Sequence, residues 1–266
     1  MTDRIPTVLS IAGSDSGGGA GIQADLKAIT RCGAHGMTAI TALTAQNTVG
    51  VTAIEPVSPA MILEQIRAVA SDIGIDAVKI GMLGSTETIE AVAEGLGLTG
   101  DAPVVVDPVM VAESGADLLM PEAKLALVQL ILPLATVVTP NIPEARLLTG
   151  LGQEASQAEL AEAILGLGPD IAVVTGGHSE RIIDLYYDGE ELFEIDGERF
   201  PGTSSHGSGC THSSVLATML ARGMGPLDAA REARKVASMA VKDGLDSVGS
   251  GPGPVNVFGL SGVAGT

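Results

Sequence analysis

The segment Ser204-Ser205-His206-Gly207-Ser208-Gly209-Cys210-Thr211 places two glycines, several hydroxyls and a thiol directly before an apolar helical face of Val215, Leu216, Met219 and Leu220. Glycines let a backbone approach an anion, and the free N–H groups at a helix start point at it, with the helix dipole adding positive potential. Gly207, Ser208 and Gly209 therefore read as an anion loop. Cys210, in the first helical turn, reads as a thiol of lowered pKa, suited to act as a base or nucleophile. The same glycines also read as plain turn punctuation, with Cys210 a small buried residue.

Three further segments carry chemistry-bearing residues. Ala12 to Asp25 (AGSDSGGGAGIQAD) follows a strand pattern and opens a helix. It lacks the GxxxxGK[ST] of a P-loop, and its acidic residues fall inside it rather than about 20 residues beyond, so it is not a dinucleotide fingerprint. A glycine loop ending in Gln and Asp suits a neutral polar ligand, or is a plain strand-to-helix turn. Thr44-Ala45-Gln46-Asn47-Thr48 offers a side-chain amide that can pair with an aminopyrimidine edge, or is a polar loop. Asp107 in VVVDPVM and Glu144 in TPNIPEA sit just past strand patterns, where carboxylates hold Mg²⁺ directly or through water. Asp107 before Pro108 also reads as a turn residue, and Glu144 as a first-turn helix acid.

The elements that must position these residues alternate almost from end to end. Strands are predicted at Thr7–Ala12, Met37–Leu43, Asp76–Ile80, Pro103–Val106, Ala135–Val138 and Ile171–Thr175. Helices are predicted at Ala20–Cys32, Pro59–Ser71, Thr86–Leu96, Pro121–Ile131, Glu144–Thr149, Gln157–Leu167, Ser208–Arg222 and Pro226–Leu245. Strands such as PVVV show no polar alternation, as a parallel sheet covered on both faces requires. Ile182–Tyr187 and Glu191–Ile195 flank Asp188-Gly189, a hairpin signal. The pattern predicts one α/β domain over residues 1–266, with a mainly parallel sheet between helix layers, a late antiparallel hairpin at one edge, and a Gly/Pro-rich tail from about 249. Ligands bind beyond the carboxyl ends of such strands. Residues 12–19, 44–47, 81–85, 107–115, 139–144 and 175–178 fall there.

Composition narrows the functions. Hydrophobic residues make up 45% of the chain, a globular value, but aromatics only 2%, so Ala, Val, Ile, Leu and Met must build the core. The net charge of −18 disfavours both nucleic acid and an anionic membrane surface as partners. Cys32 and Cys210 have no metal-type spacing, and a disulfide scaffold is not expected at this size, so a reducing cytoplasm is the expected location. No signal peptide and no membrane span are expected.

Taken together and in order, AGSDSGGGAGIQAD, ITALTAQNT, KIGML, VVDPVM, TPNIPEA, GGH, HGSGCT and the closing GPGPVNV resemble the hydroxymethylpyrimidine and phosphomethylpyrimidine kinases of thiamin biosynthesis. The resemblance implies a ribokinase-like α/β/α fold, a homodimer, ATP and Mg²⁺. It implies a pyrimidine pocket of Gly13, Ala20, Asp25, Gln46, Met82 and Val109, with Gln46 reading the ring edge. Cys210 matches the family's catalytic base, and Gly207, Ser208 and Gly209 its anion hole. Asp107, Asn141 and Glu144 match positions that order Mg²⁺ and phosphates, and Thr175 and Gly177 fall in the ATP segment. Many family members carry Lys where this chain has Thr175, so phosphate neutralisation here rests more on Mg²⁺ and the helix start. The residues after Phe258 match nothing in the family and are expected to be a disordered end.

The reaction implied is in-line transfer of the ATP γ-phosphoryl group to a ring hydroxymethyl, with Cys210 taking the proton, followed by a second transfer to the monophosphate. A pyridoxal kinase is the nearest alternative, since that ring also bears a hydroxymethyl group. A sugar kinase fits less well, because its base is Asp. A non-catalytic nucleotide or vitamin sensor and a thiol-regulated protein are the alternatives from other classes.

Overall fold

The computed structural model describes residues 4–111, 115, 118–120, 122–177, 182–200 and 204–260. Nine strands form one sheet in the order β3-β2-β1-β4-β5-β6-β7-β8-β9. They are β1 (Thr7–Asp15), β2 (His35–Gln46), β3 (Val51–Pro56), β4 (Ala77–Ile80), β5 (Val104–Val106), β6 (Val137–Val138), β7 (Ile171–Val174), β8 (Ile183–Tyr187) and β9 (Leu192–Asp196). From β2 to β7 every neighbouring pair is parallel. β8 and β9 add the expected antiparallel hairpin at one edge.

Period-two geometry sorts each central strand between two cores. Leu9, Ile11, Val78, Ile80, Val104, Val106, Val138 and Val174 join one cluster. It packs under α2 (Pro59–Asp72), α3 (Thr86–Leu96), α4 (Ala123–Ala126), α5 (Ile142–Thr149) and α6 (Gln157–Leu165). Val8, Ala77, Val105, Val137 and Val173 face the other way, against α1 (Gly21–Arg31), α7 (Ser208–Ala221) and α8 (Pro226–Lys242). On that second face two positions are polar: Ser10 of β1 and Lys79 of β4 are register partners.

Several elements differ from the sequence reading. β3 was not expected. It pairs antiparallel with β2, and nearly all its residues are exposed, so no buried pattern announces it. β2 reaches on to Gln46, turning through Asn47, whose Oδ1 accepts from the amides of Val49 and Gly50. The helix expected over Pro121–Ile131 is α-helical only at Ala123–Ala126, then π-type at Leu127–Ile131 and 3₁₀ at Leu132–Leu134. Pro133 offers no N–H to the preceding turn, so the bonding pattern shifts ahead of it. Pro121 itself, His178 of the GGH segment and 112–114 of the 107–115 loop lie outside the described residues.

The Gly/Pro-rich end is folded in as far as Leu260. The Val255 amide donates to the His206 carbonyl and the Asn256 amide to that of Ala240. Leu260 is held by the Asn256 side chain, and the remainder of the expected disordered end, 261–266, lies outside the described residues. Among the described residues no helix is long and apolar enough to cross a membrane.

Candidate active site

The residues singled out from the sequence lie at the carboxyl ends of the parallel strands or at the helix starts that follow them. Asp15 ends β1, and its carboxylate folds the glycine loop: Oδ1 accepts from Gly17 N at 2.7 Å, and Oδ2 from Gly19 N at 3.0 Å and Ala20 N at 2.8 Å. Burial would raise its pKa. The hydrogen bonds from His206 and from the amides of Ala20 and Gly17 outweigh that and hold it below the ordinary carboxylate value. Gly21 has φ +56°, and a Cβ there would lie 2.3 Å from the Gly13 carbonyl oxygen, so only glycine closes this turn. Gly13 in turn sits against Met82, with Sδ 3.1 Å from where its Cβ would be. Ser16 Oγ donates to the Gln46 carbonyl and accepts from its amide, which ties the end of β2 to the same loop. Gly13, Ala20, Gln46 and Met82 are thus drawn together. The Gln46 Oε1 accepts from Thr44 Oγ1, which orients the amide. Val109 follows β5, its amide bonded to the Asp107 carbonyl.

Asp25 is placed differently from the other residues expected in the pocket. Its side chain is fully buried, and it accepts from Lys79 Nζ at 2.8 Å, Ser10 Oγ at 2.6 Å and Ser214 Oγ at 2.8 Å. Fully buried and held by three protein donors, it has no surface to offer a ligand. Lys79 is the residue that sequence reasoning missed. The signal was available: a lysine inside a four-residue strand buried at every position. Burial pulls its ammonium toward the neutral form, but the Asp25 carboxylate, the Cys210 thiol and Asp107 outweigh this and hold its pKa above the ordinary lysine value.

α7 starts at the anion loop. Its N-cap, Gly207, has φ +85°, and a Cβ there would lie 1.9 Å from the Gly19 carbonyl oxygen. The two glycine loops, remote in sequence, therefore pack directly on one another. The second turn of α7 is polar yet buried: Ser213 Oγ donates to Asp107 Oδ2 at 3.1 Å, and Ser214 to Asp25. Gly209 brings the helix start close to Asp107, whose Oδ2 is 3.8 Å from the glycine's Cβ position.

Cys210 corrects the expectation of a lowered thiol pKa. Burial pushes the thiol up to about 12. The positive charge of Lys79 opposes this, the carboxylates of Asp25 and Asp107 add to it, and a hydrogen bond from the Gly21 amide opposes it again. The helix N-terminus is present, but removal from water and two nearby carboxylates outweigh it.

On the other side of the cleft, Asn141 caps α5 and forms a capping box with Glu144: Asn141 Oδ1 accepts from Glu144 N, and Glu144 Oε2 from Asn141 N, both at 2.9 Å. Burial and the negative charge of Asp107 push Glu144 up to about 8. Asp107 is raised as well, by burial, though Lys79 and Ser213 oppose it. Two carboxylates that repel each other, Asp107 buried and Glu144 half-buried, suit a divalent cation. Among the described residues no cluster of three or more ligand side chains forms a closed metal cage. That fits Mg²⁺, which takes one or two carboxylates plus water and substrate phosphates. Thr175 bridges to Asn141, and the next residue, Gly176, donates to Asp184 Oδ1. Asp184 is fully buried beside Arg234 and His212, which hold its carboxyl below the ordinary value despite burial. Gly177 is exposed at the end of this segment.

A parallel sheet between two helix layers, with a glycine-capped helix start facing a cleft at the strand ends, defines a ribokinase-like small-molecule kinase. The phosphomethylpyrimidine kinase family matches residues 15–256, and the chain belongs to that family. It is 49% identical over 257 residues to the hydroxymethylpyrimidine/phosphomethylpyrimidine kinase of Rhizobium meliloti, covering 94% of this chain and 96% of that one. It is 41% identical to the phosphomethylpyrimidine kinase of Clostridium difficile, whose crystal structure it matches with a TM-score of 0.79, over 90% of this chain and 100% of that one. The pyridoxal kinase of Staphylococcus aureus, solved with AMP-PCP and pyridoxal, matches with a TM-score of 0.87 at 34% identity, over 96% of this chain and 94% of that one.

Proposed function

We propose that this kinase transfers the γ-phosphoryl group of ATP to the hydroxymethyl oxygen of 4-amino-5-hydroxymethyl-2-methylpyrimidine. In this reading it then phosphorylates the monophosphate to the pyrophosphate, in the cytoplasm, as a step of thiamin biosynthesis. The observation that carries the reading is the junction of the two glycine loops. It sets the loop that carries Gly13 and Ala20, with Met82 and Gln46 against it, beside the loop that leads to Cys210, and in this reading the first, together with Val109, would take the neutral ring and the second the anion.

The acceptor oxygen attacks the γ-phosphorus, the bridging P–O bond to ADP breaks, and the hydroxyl proton passes to the Cys210 thiolate. The ligand-free thiol carries a proton, so that proton must first leave to solvent. Lys79 and the Gly21 amide favour the thiolate that results. The amides of Gly207 and Gly209 would face the charge that builds on the transferring group; the Ser208 amide, expected to join them, instead donates to the Ser205 carbonyl at 2.9 Å. Asp107 and Glu144 would hold Mg²⁺, which supplies charge neutralisation at the phosphates. Asn141, Thr175 and Gly177 would line the nucleotide side, with hydroxyl and backbone groups where a lysine charge is absent. A homodimer is also proposed: β3 leaves one edge of the sheet unpaired, with Ile54 and the neighbouring Leu43 exposed.

A second reading, pyridoxal kinase, is favoured by the likeness to the pyridoxal-bound structure. A coupled ADP-release assay with Mg-ATP separates the two, using hydroxymethylpyrimidine, its monophosphate and pyridoxal as acceptors. Turnover of both pyrimidines, with pyridoxal at least about tenfold lower in kcat/KM, is the expected result; a tenfold difference is about 1.4 kcal/mol of differential transition-state binding. Turnover of pyridoxal alone overturns the pyrimidine assignment.

A further inference from the structure

We propose that Asp15 and His206 form a clasp that sets the acceptor loop against the phosphoryl-transfer loop, and that both are positioning residues for the reaction. The proposal rests on the kinase reading above and adds two residues to it. Asp15 is 2% exposed and His206 9%. Asp15 Oδ2 lies 3.0 Å from His206 Nε2, across 191 residues of sequence. A carboxylate only accepts, so Nε2 carries the proton of this bond.

The placement makes this more than a loop-folding carboxylate. The three amides that Asp15 accepts from belong to Gly17, Gly19 and Ala20, all in the acceptor loop. His206 is the residue immediately before Gly207, the N-cap of α7. The two loops also touch beyond this hydrogen bond, through the His206 ring and through backbone. A Cβ on Gly19 would lie 2.1 Å from His206 Cδ2, and one on Gly207 1.9 Å from the Gly19 oxygen. Beyond the clasp, the Gly21 amide reaches the Cys210 thiol. His206 is fixed in turn by the C-terminal segment, its amide donating to the Gly253 carbonyl and its carbonyl accepting from Val255. One buried hydrogen bond therefore joins the loop that faces the acceptor ring, the helix start that faces the phosphoryl group, and the closing GPGPVNV segment.

In-line transfer depends on the spacing between acceptor oxygen and phosphorus, and a displacement of about 1 Å costs roughly 10²-fold in rate. Loosening the clasp moves the acceptor side relative to α7 while leaving the nucleotide side, carried by β6, α5 and β7, in place.

The test compares His206→Phe, which keeps a ring without the donor, with His206→Gln, which keeps a donor. Two readouts are taken: steady-state kinetics, and amide hydrogen exchange of peptides covering residues 13–21. His206→Phe is expected to lower kcat with hydroxymethylpyrimidine by about 10²-fold while the KM for ATP stays within about twofold. His206→Gln should recover at least half of that loss on a logarithmic scale, and exchange over 13–21 should quicken about tenfold in the Phe variant alone. A purely structural histidine would lower Tm while leaving kcat per folded molecule and the 13–21 exchange unchanged, and that result overturns the proposal. If the wild-type enzyme does not phosphorylate the pyrimidine, the kinase reading fails, and the exchange comparison alone still decides whether the clasp exists.

Discussion

The two sides of the cleft solve the problem of buried charge in opposite ways. On the acceptor side, Asp25 and Asp15 are saturated with partners: Lys79, Ser10 and Ser214 for the first, three loop amides and His206 for the second. On the nucleotide side, Asp107 and Glu144 repel each other, and both are pushed toward the protonated form. A surface that receives a neutral ring can be finished in the protein itself. On the proposed assignment, one that would receive a polyanion with its counter-cation is left short of positive charge. The deficit on the side that carries Thr175 is, on the same assignment, one a divalent cation would fill.

The sharpest way to break the comparison is to remove the saturating charge. Lys79→Met leaves Asp25 as a buried, uncompensated carboxylate. It should cost about 3–5 kcal/mol in denaturant unfolding, while Lys79→Met with Asp25→Asn should cost clearly less than the two single changes summed. Additive losses would show that the two charges do not act as a pair.

On the nucleotide side the sign reverses. Glu144 has a folded-state pKa of about 8 against an ordinary 4.5, so the folded protein binds the extra proton between those values. Its contribution to stability is present below about pH 4.5 and is lost as pH rises through 8. In magnesium-free buffer, Glu144→Gln should therefore gain Tm relative to wild type progressively from pH 5 to pH 8. Added Mg²⁺ should stabilise wild type most at the upper end of that range, and a constant difference at all pH values would contradict the assignment. The smallest effect belongs to Asn141→Ala, which removes half of a capping box. It should cost about 1 kcal/mol in urea unfolding, with little change in the KM for hydroxymethylpyrimidine.

The sequence announced these two sides unequally. The strands were legible because a sheet covered on both faces demands apolar runs, which VVV and IAVV supply uninterrupted and AVKI with Lys79 as its one polar residue. β3 was illegible because VTAIEP lies at an edge with little buried surface. The glycine loops were visible one at a time. Their contact was not, because nothing local in Gly19 or Gly207 states that a Cβ on one would strike the other loop. Asp25 was expected in the pocket from the family resemblance. Its burial depends on Lys79 and Ser214, which come from a strand and a helix far along the chain. The thiol's environment was misjudged for the same reason: the helix start is local and readable, whereas the two carboxylates that raise Cys210 arrive from α1 and the end of β5.

The central claim is that the junction of these loops delivers an acceptor hydroxyl to Cys210 beside the transferring phosphoryl group. Single-turnover transfer from ATP to hydroxymethylpyrimidine, measured from pH 7 to pH 9 in wild type and in Cys210→Ala, tests it most directly. The wild-type rate should rise with pH, since the thiolate population grows toward a pKa of about 12. The alanine variant should be slower by about 10²–10⁴-fold and lose that dependence while binding ATP as before. An alanine variant that transfers at the wild-type rate, or keeps the same rise with pH, would remove Cys210 from the proton transfer and with it the account of how this site works.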